Sequence, residues 1–355
     1  MNETIKLTHL SLDSFNQKSF EIVFEVFENL KKSDLILVKE FIFYFDVEDL
    51  YESLKYHQKV LYSLLYTDNF DFIKDFTVWK YSVYLHRGLD LNYFLLEYEQ
   101  WIFACSKYLY QAQAVEVIEV YNFLIANHGT FVKLAHDELE DSKKNPKYSI
   151  INDILHHILK GDKDKAKEVI IAEIKNSDNV FNFLENSIVP LMYKVGVLWQ
   201  LNEISVAKEH LATSIIHEIL DEVVLIDSNT TQKKRLAVVS VVGEELHTLG
   251  VKIVSKFLES KGFKTVQFAS TLKKQDIING IYEIKPDLVV FSITLSANLF
   301  ILQQIVTELK ESSIFKGYVI AGGQGLFEND KMASIKGIDL ISKNLDAIDS
   351  FLDSL

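Results

Sequence analysis

One histidine stands out as a candidate metal ligand, in the segment Gly243-Glu-Glu-Leu-His-Thr-Leu-Gly250. The apolar run 236–242 before it is typical of a buried strand, and the amphipathic run 251–258 after it is typical of a helix. In open α/β sheets, ligands bind beside the loops that follow the carboxyl ends of the strands. We therefore predict that His247 reaches out from such a loop, and that Gly250 leaves the space above the loop free for a large ligand.

This segment resembles the Asp-x-His-x-x-Gly signature of cobalamin-binding domains, in the form Glu245-x-His247-x-x-Gly250. In that family the histidine replaces dimethylbenzimidazole as the lower axial ligand of cobalt, and the acidic residue orients its ring. The resemblance implies these roles for His247 and Glu245. Because Glu245 is one methylene longer than the family's aspartate, its hydrogen bond to His247 is expected to be either direct or looser and mediated by water.

Two further parts of the family signature have counterparts here. The family has Ser-x-Leu on the third strand and Gly-Gly after the fourth, and this chain has Ser292-Ile-Thr294 and Gly322-Gly323 at matching intervals. Ser292 and Thr294 are predicted to end a strand on the same side, because strand side chains alternate, with their hydroxyls toward the buried nucleotide tail of the cofactor. Gly322 and Gly323 would let that tail pass close to the backbone.

A second signature lies upstream of the first. Trp199, nine residues and then Glu209-His210 resemble the helical cap of adenosylcobalamin-dependent light-sensing transcription regulators. In those proteins this group packs against the adenosyl ligand, which the resemblance implies for the present chain. There, a histidine directly after the tryptophan can replace the lost adenosyl group; here that position is Gln200. Whether Gln200 or His210 contacts cobalt after photolysis stays open.

Three domains are predicted to position these residues. Residues 1–140 contain no proline and show apolar residues at helical spacing, which predicts an all-helical domain. Its five or six helices are expected at about 17–31, 33–44, 47–67, 69–86, 90–110 and 112–138. Residues 147–227 predict a four-helix bundle, the shape of the family's cap. Its helices are expected at 148–160, 163–176, 178–200 and 203–226, with a kink at Pro190.

Residues 234–355 alternate between strand and helix patterns, which predicts a five-stranded parallel flavodoxin-like (Rossmann-like) sheet. Strands are expected at 235–242, 264–269, 287–294, 317–321 and 338–342, and helices at 249–261, 272–284, 299–313, 327–335 and 345–354. The fold class is therefore α followed by α/β. The polar segments Asp141–Pro146 and Ile226–Arg235 are predicted linkers.

Composition excludes several classes of protein. The formal net charge is −13, and the only arginines are Arg87 and Arg235, which argues against direct nucleic-acid binding. The single cysteine, Cys105, excludes a disulfide framework and a cysteine-built zinc site. Neither a signal-peptide pattern nor an apolar run of membrane-spanning length is found, so a cytoplasmic protein without a membrane partner is expected.

The N-terminal domain is dense in aromatic residues, which are expected to form its core. His86, His128 and His136 could serve as haem ligands, but surface or capping histidines are the simpler interpretation. We interpret this domain as a sensor or as a module that docks a protein partner or a second copy of the chain.

Three functions follow from these patterns. The first is a non-catalytic cobalamin-binding sensor that responds to light or to adenosylcobalamin, with methylcobalamin and hydroxocobalamin as alternative cofactors. The second is a corrinoid carrier of methyl groups for a methyltransferase system. The third is a relative that binds haem or no cofactor. A radical mutase is excluded, because the chain lacks the eight strand–helix units of a substrate barrel.

Overall fold

The computed structural model describes residues 5–142, 149–177, 179–223, 235–268, 271–328 and 331–355. They form two compact units, Met1–Lys144 and Asn145–Leu355. The second predicted linker, 226–235, lies outside the described residues except for Arg235, and only the first two residues of the first linker are described. None of the helices in the described ranges is long and apolar enough to cross a membrane.

The first unit is helical, as predicted. Its helices are α1 (His9–Gln17), α2 (Ser19–Lys31), α3 (Ile36–Tyr44), α4 (Val47–Tyr66), α5 (Phe70–Leu85), α6 (Tyr93–Tyr108), α7 (Gln111–Ala126) and α8 (His128–Ser142). Two boundaries differ from the prediction. Helix α1 was not expected; the Thr8 hydroxyl caps it by accepting a hydrogen bond from the Ser11 amide. The single helix predicted at 112–138 is divided at Asn127, whose side-chain amide donates to the Phe123 carbonyl.

The core of this unit is aromatic and contains a buried ion pair. Trp101, Tyr98 and Tyr121 have no exposed surface. Lys80 Nζ lies 2.7 Å from Glu97 Oε1, with both side chains buried, and 4.6 Å from the centre of the Phe94 ring. Burial lowers the pKa of Lys80, and the carboxylate of Glu97 partly offsets this effect. The charge on Lys80 therefore depends on its partner.

The cap begins the second unit. It consists of α9 (Ser149–Leu159), α10 (Lys163–Asn176), α11 (Val180–Phe183), a π-helical turn (Leu184–Ile188), α12 (Val189–Gln200) and α13 (Val206–Val223). The third predicted helix, 178–200, corresponds to α11, the π-turn and α12 in succession. The π-turn ends two residues before Pro190, where the kink was predicted. A local change of helical pitch accommodates the ring and the missing N–H of the proline.

The five-stranded parallel sheet of the prediction is confirmed. Its strands are β1 (Arg235–Val241), β2 (Phe263–Phe268), β3 (Leu288–Ser292), β4 (Tyr318–Gly322) and β7 (Leu340–Ser342), in the order β2–β1–β3–β4–β7. The connecting helices are α14 (Leu249–Ser260), α15 (Lys274–Ile284) and α16 (Leu299–Glu311), and α17 (Leu345–Asp353) follows the last strand. This is the strand order of a flavodoxin-like sheet.

Two predictions about this domain are wrong. The helix expected at 327–335 is instead a short antiparallel pair, β5 (Phe327–Glu328) and β6 (Lys331–Met332). The sequence Asn-Asp at 329–330, which lies outside the described residues, is a turn signal that the prediction from helical spacing did not take into account. The third strand ends at Ser292, so Thr294 lies in the following loop rather than on the strand.

The cap packs on the sheet domain through one continuous hydrophobic core. Residues of α9 to α13 belong to the same buried cluster as residues of β1, β3 and α14. The rings of Phe181 and Phe257 meet edge to face, with their centres 5.4 Å apart. Lys252 Nζ donates to the His217 carbonyl at 3.0 Å and lies 2.8 Å from Asp221. These contacts fix α13 against α14, the helix that follows the His247 loop.

Replacing Lys80 with Met is expected to lower the free energy of unfolding by about 3 kcal/mol, because it leaves the Glu97 carboxylate buried without a partner. The double variant Lys80→Met, Glu97→Leu should recover most of this loss. Urea unfolding followed by circular dichroism measures both effects. Lys18→Met, at the exposed pair Lys18–Glu21, is the control and should leave the transition unchanged. Equal losses in the single and double variants would contradict the prediction.

Candidate functional site

The candidate residues meet at the carboxyl ends of three adjacent strands. The His247 loop follows β1, the loop 293–298 follows β3, and the glycine turn follows β4. Because parallel strands end at the same edge, these loops lie side by side. The sheet therefore brings together residues that are up to 80 positions apart in sequence.

The Glu245 carboxylate connects two of these loops. It has no exposed surface. Its Oε1 accepts a hydrogen bond directly from His247 Nδ1, and also one from the His247 amide at 3.3 Å. Its Oε2 accepts hydrogen bonds from the amides of Thr294 (3.2 Å) and Leu295 (3.0 Å) and from Asn298 Nδ2 (3.4 Å). Of the two expectations for the longer side chain, the direct hydrogen bond is the one observed.

Opposing effects determine the charge of this pair. Burial is the largest influence on Glu245 and raises its pKa, but the hydrogen bonds and the charge of His247 outweigh it, so the pKa of Glu245 lies below its usual value. The hydrogen bond to Glu245 raises the pKa of His247 above its usual value, against the effect of partial burial. The carboxylate thus holds a proton on Nδ1 of the ring.

The geometry of His247 fits an axial ligand. About half of its side chain, 53 %, is exposed. Because Nδ1 carries the proton that Glu245 accepts, the neutral ring presents a lone pair at Nε2, which is the arrangement found in most metal-binding histidines. A single histidine nitrogen is sufficient as the protein ligand of a metal whose equatorial ligands come from a macrocycle. This arrangement is compatible with the predicted roles of His247 as the lower axial ligand of cobalt and of Glu245 as the residue that orients the ring, which stay predictions.

Gly250 and Ser292 are in close contact. A Cβ atom added at Gly250 would lie 2.3 Å from Ser292 Oγ. The space beside Gly250 is thus filled by the serine hydroxyl, whereas the sequence suggested that it would be free for a ligand. The glycine permits the first turn of α14 to approach the end of β3.

The glycine turn after β4 is bonded to the loop after β3. The Ile293 amide donates to the Gly322 carbonyl at 2.8 Å, and the Gly325 amide donates to the Ile293 carbonyl at 3.0 Å. Gly323 has a φ of 106°, and a Cβ there would lie 2.4 Å from the Ile293 carbonyl oxygen. Backbone packing alone therefore requires Gly323. The passage of a nucleotide tail along Gly322 and Gly323 stays a prediction.

The cap contributes Trp199 at the end of α12 and Glu209-His210 near the start of α13. Trp199 is partly buried and packs against the shared core. Glu209 accepts a hydrogen bond from the Thr213 hydroxyl at 3.0 Å, and it is near enough to His247 to help raise the pKa of the ring. His210 is largely exposed, with Nδ1 3.8 Å from the Glu209 carboxylate. The negative charge of Glu209 thus acts on the His247 ring, while its carboxylate is hydrogen-bonded to Thr213 of its own helix.

Asn298 is a site residue that sequence reasoning missed. It is 1 % exposed and donates to Glu245, while its Oδ1 has no hydrogen-bond partner in the described part of the chain. A Cβ at Gly243 would lie 2.7 Å from that oxygen, so Gly243 makes room for the amide. An asparagine directly before the apolar helix 299–311 is typical of a helix cap, but the Asn298 side chain makes no capping hydrogen bond, so only the tertiary structure assigns it to the site.

The three histidines considered as haem ligands have local partners or lie at the surface of the N-terminal unit. His86 Nδ1 is 2.5 Å from the Ser82 carbonyl, and His128 Nδ1 is 2.8 Å from the Tyr81 hydroxyl. His136 is exposed. These contacts favour the ordinary structural interpretation of all three residues.

Comparisons with known proteins match the second unit. Residues 150–223 and residues 235–341 each match a family model described as a B12 binding domain. A curated relative, a corrinoid protein of Desulfitobacterium hafniense (strain Y51), is 19% identical over 181 residues, which cover 50% of this chain and 84% of the relative. These matches agree with the prediction of a cobalamin-binding protein.

Among solved structures, the monomethylamine corrinoid protein of Methanosarcina barkeri is 16% identical, with a TM-score of 0.49 over 58% of this chain and 98% of that chain. A cobalamin-binding protein from Desulfitobacterium hafniense DCB-2 is 21% identical, with a TM-score of 0.31 over 57% of this chain and 97% of that chain.

The His247 ring is expected to titrate above its ordinary pKa of about 6.5 in the cofactor-free protein, because protonation adds a charge beside the Glu245 carboxylate. Its stabilising contribution is full below the pKa of the unfolded state and is lost as pH rises through the raised pKa of the folded state. NMR titration of the ring protons measures this value. Glu245→Gln should lower it, whereas Glu244→Gln should not; an equal effect of both would contradict the pairing.

Replacing Gly323 with Ala is expected to lower the free energy of unfolding by about 2 kcal/mol or more, because left-handed backbone strain is added to a clash with the Ile293 carbonyl. Gly262→Ala is the matched control. Gly262 also has a positive φ, of 86°, but a Cβ there would meet no atom within 4 Å. It should cost only the strain, about 1 kcal/mol. Thermal unfolding of both variants tests the difference, and equal losses would contradict it.

Proposed function

Since this chain is a cobalamin-binding domain protein, with a helical cap and a Rossmann-like domain, we propose that it holds cobalamin between the cap and the carboxyl edge of the sheet. His247 is the lower axial ligand of cobalt in this proposal. The observation that carries it is the hydrogen bond between the buried Glu245 carboxylate and His247 Nδ1, which leaves Nε2 for the metal.

The chain's own residues then have separate tasks. Glu245 holds the proton on Nδ1 and fixes the plane of the ring. Thr294, Leu295 and Asn298 hold Glu245 in place through Oε2. Because the carboxylate is bonded on both oxygens, it can rotate only if one loop gives up its hydrogen bonds. The His247 ring is therefore held in one orientation before cobalamin binds.

The cap covers the other side of the cofactor in this proposal. Glu209 and His210 on α13 and Trp199 at the end of α12 are the cap residues that we assign to this side. When bound, cobalamin supplies a cobalt–carbon bond, which light breaks in the adenosyl form and which delivers a methyl group in the methyl form. The cap residues sense what occupies the upper face, since the packing of α12 and α13 depends on the size of that group.

For the role of the bound cofactor, we propose regulation in response to light or to the form of cobalamin, with output to a protein partner. The cap group Trp199, Glu209 and His210 resembles that of light-sensing regulators, and this resemblance favours regulation. The N-terminal helical unit lies outside both matched domains and provides a surface for output. The second candidate, a methyl carrier, is favoured by the curated corrinoid relative, whose match spans half of this chain.

The ligation is tested by electron paramagnetic resonance of the protein loaded with cobalamin and reduced to the Co(II) state. A nitrogen ligand splits each cobalt line, into three for nitrogen-14 and two for nitrogen-15. Protein labelled with nitrogen-15 histidine should therefore change from three lines to two. His247→Ala should lose the protein-derived splitting and weaken binding by about 10-fold or more. His136→Ala, an exposed histidine of the other unit, should behave as the wild type.

If the three-line pattern persists in labelled protein, the nitrogen comes from dimethylbenzimidazole and the ligation is wrong, although the binding of cobalamin would stand. If neither the labelled nor the unlabelled wild type retains cobalamin after gel filtration, the chain is a relative that has lost the cofactor.

The role is tested by hydrogen exchange of α12 and α13 with adenosylcobalamin bound, in darkness and after green illumination. A regulator should lose protection in these helices on illumination, because removal of the adenosyl group takes away their packing partner. Protein loaded with hydroxocobalamin is the control and should not respond. Unchanged protection with either adenosylcobalamin or hydroxocobalamin bound, together with methylation of the bound cofactor by a methyltransferase extract, would favour the role of a methyl carrier.

A further inference from the structure

Helix α3 has an apolar surface that the N-terminal unit does not cover. Its sequence is Ile-Leu-Val-Lys-Glu-Phe-Ile-Phe-Tyr, yet only Val38 and Phe41 are buried. The helix contacts α4 and α6, and the Phe41 ring also lies against Tyr84 of α5. A helix that is apolar around most of its circumference is normally buried on all sides. We therefore expect a partner to cover the outer side of α3.

The exposed residues are large. Leu35 is 53% exposed, Ile36 74%, Phe43 83% and Tyr44 51%. Together they present about 500 Å² of mostly apolar side chain, which is as large as the largest patch of a typical monomer. Patches of this size mark interaction sites more often than ordinary surface.

The spacing of these residues defines a line along the helix. At about 100° per residue, Ile36 and Phe43 lie almost two full turns apart on the side opposite Val38 and Phe41. Lys39 and Glu40 lie about midway between them, displaced to opposite sides of the line by about 50° each. Ile36 and Phe43 thus form a short apolar seam, with Lys39 on one flank and Glu40 on the other.

We propose that α3 pairs in parallel with α3 of a second copy of this chain. A two-fold axis parallel to the helices places Ile36 against Ile36 and Phe43 against Phe43. The same axis places Lys39 of each copy beside Glu40 of the other. An antiparallel pair would instead place lysine beside lysine and glutamate beside glutamate. The charges of the helix therefore complement those of its own copy in the parallel arrangement only.

The exposed area of α3 is also consistent with a second copy of the chain as the partner. If both copies cover their exposed α3 residues, the interface buries about 1,000 Å², which is the lower limit for a specific protein–protein contact. Such a contact gives a dimer that dissociates on dilution. Lys39 lies 2.9 Å from Asp34 of its own chain, and both side chains are exposed, so this weak ion pair can be exchanged for one with Glu40 of the second copy. The inference is independent of cobalamin binding.

The test is sedimentation equilibrium of the full chain over a range of concentrations. The wild type should show a monomer–dimer equilibrium, and Ile36→Ser with Phe43→Ser should raise the dissociation constant at least about 10-fold. Phe20→Ser is the matched control, since Phe20 of α2 in the same unit is 67% exposed but not part of the seam. Circular dichroism confirms that each variant is folded, which is expected because the replaced residues are exposed.

Charge reversal distinguishes the arrangement. Lys39→Glu alone and Glu40→Lys alone should each weaken a parallel dimer, and the double variant should restore it, because the two charges exchange places. In an antiparallel dimer each single variant would only replace one like-charge pair with another, so association would not weaken in this pattern. A wild type that stays monomeric at all concentrations, or a dimer that Phe20→Ser disrupts and the α3 variants do not, overturns the proposal. The α3 surface would then bind a different protein.

Discussion

The second unit depends on one buried carboxylate. Glu245 has no exposed surface, and a charged group in such a position costs several kcal/mol unless hydrogen bonds satisfy it. The donors come from its own loop and from the loop after β3. Neither loop can move alone without leaving the charge unsatisfied. The position of His247 is therefore fixed by residues almost fifty positions away as much as by its own neighbours.

The same requirement explains the glycines around the site. Gly250 admits the Ser292 hydroxyl, Gly243 admits the Asn298 amide, and Gly323 admits the Ile293 carbonyl. Each glycine lets one loop approach another more closely than a Cβ would permit. A ligand site formed from three loops needs such contacts, because each loop is too short to form a cavity alone. The glycines of the family signature thus serve the packing of the loops whether or not they also line the path of the nucleotide tail.

The N-terminal unit follows a different physical pattern. Its interior is filled by aromatic rings around the Lys80–Glu97 pair, while α3 leaves large apolar residues at the surface. A buried ion pair adds little net stability but penalises any packing that separates the partners. The unit thus has a specific interior, and the outer side of α3 is among its exposed apolar surfaces. If the proposed pairing of α3 with a second copy holds, this interior would give the dimer a rigid module on each side.

The sequence by itself determined what repeats along the chain. Helical and strand periods predicted the helical unit, the cap and the five-stranded sheet, and residue types at fixed spacing singled out His247, Glu245 and the glycines. Periodicity reports only which face of an element is apolar, so it could not place the end of β3 at Ser292 or the pair of short strands at 327–332. The tertiary structure alone decided that Glu245 bonds directly to two loops, that Asn298 belongs to the site and that α3 is uncovered. These features depend on contacts between residues far apart in sequence, which no local spacing encodes.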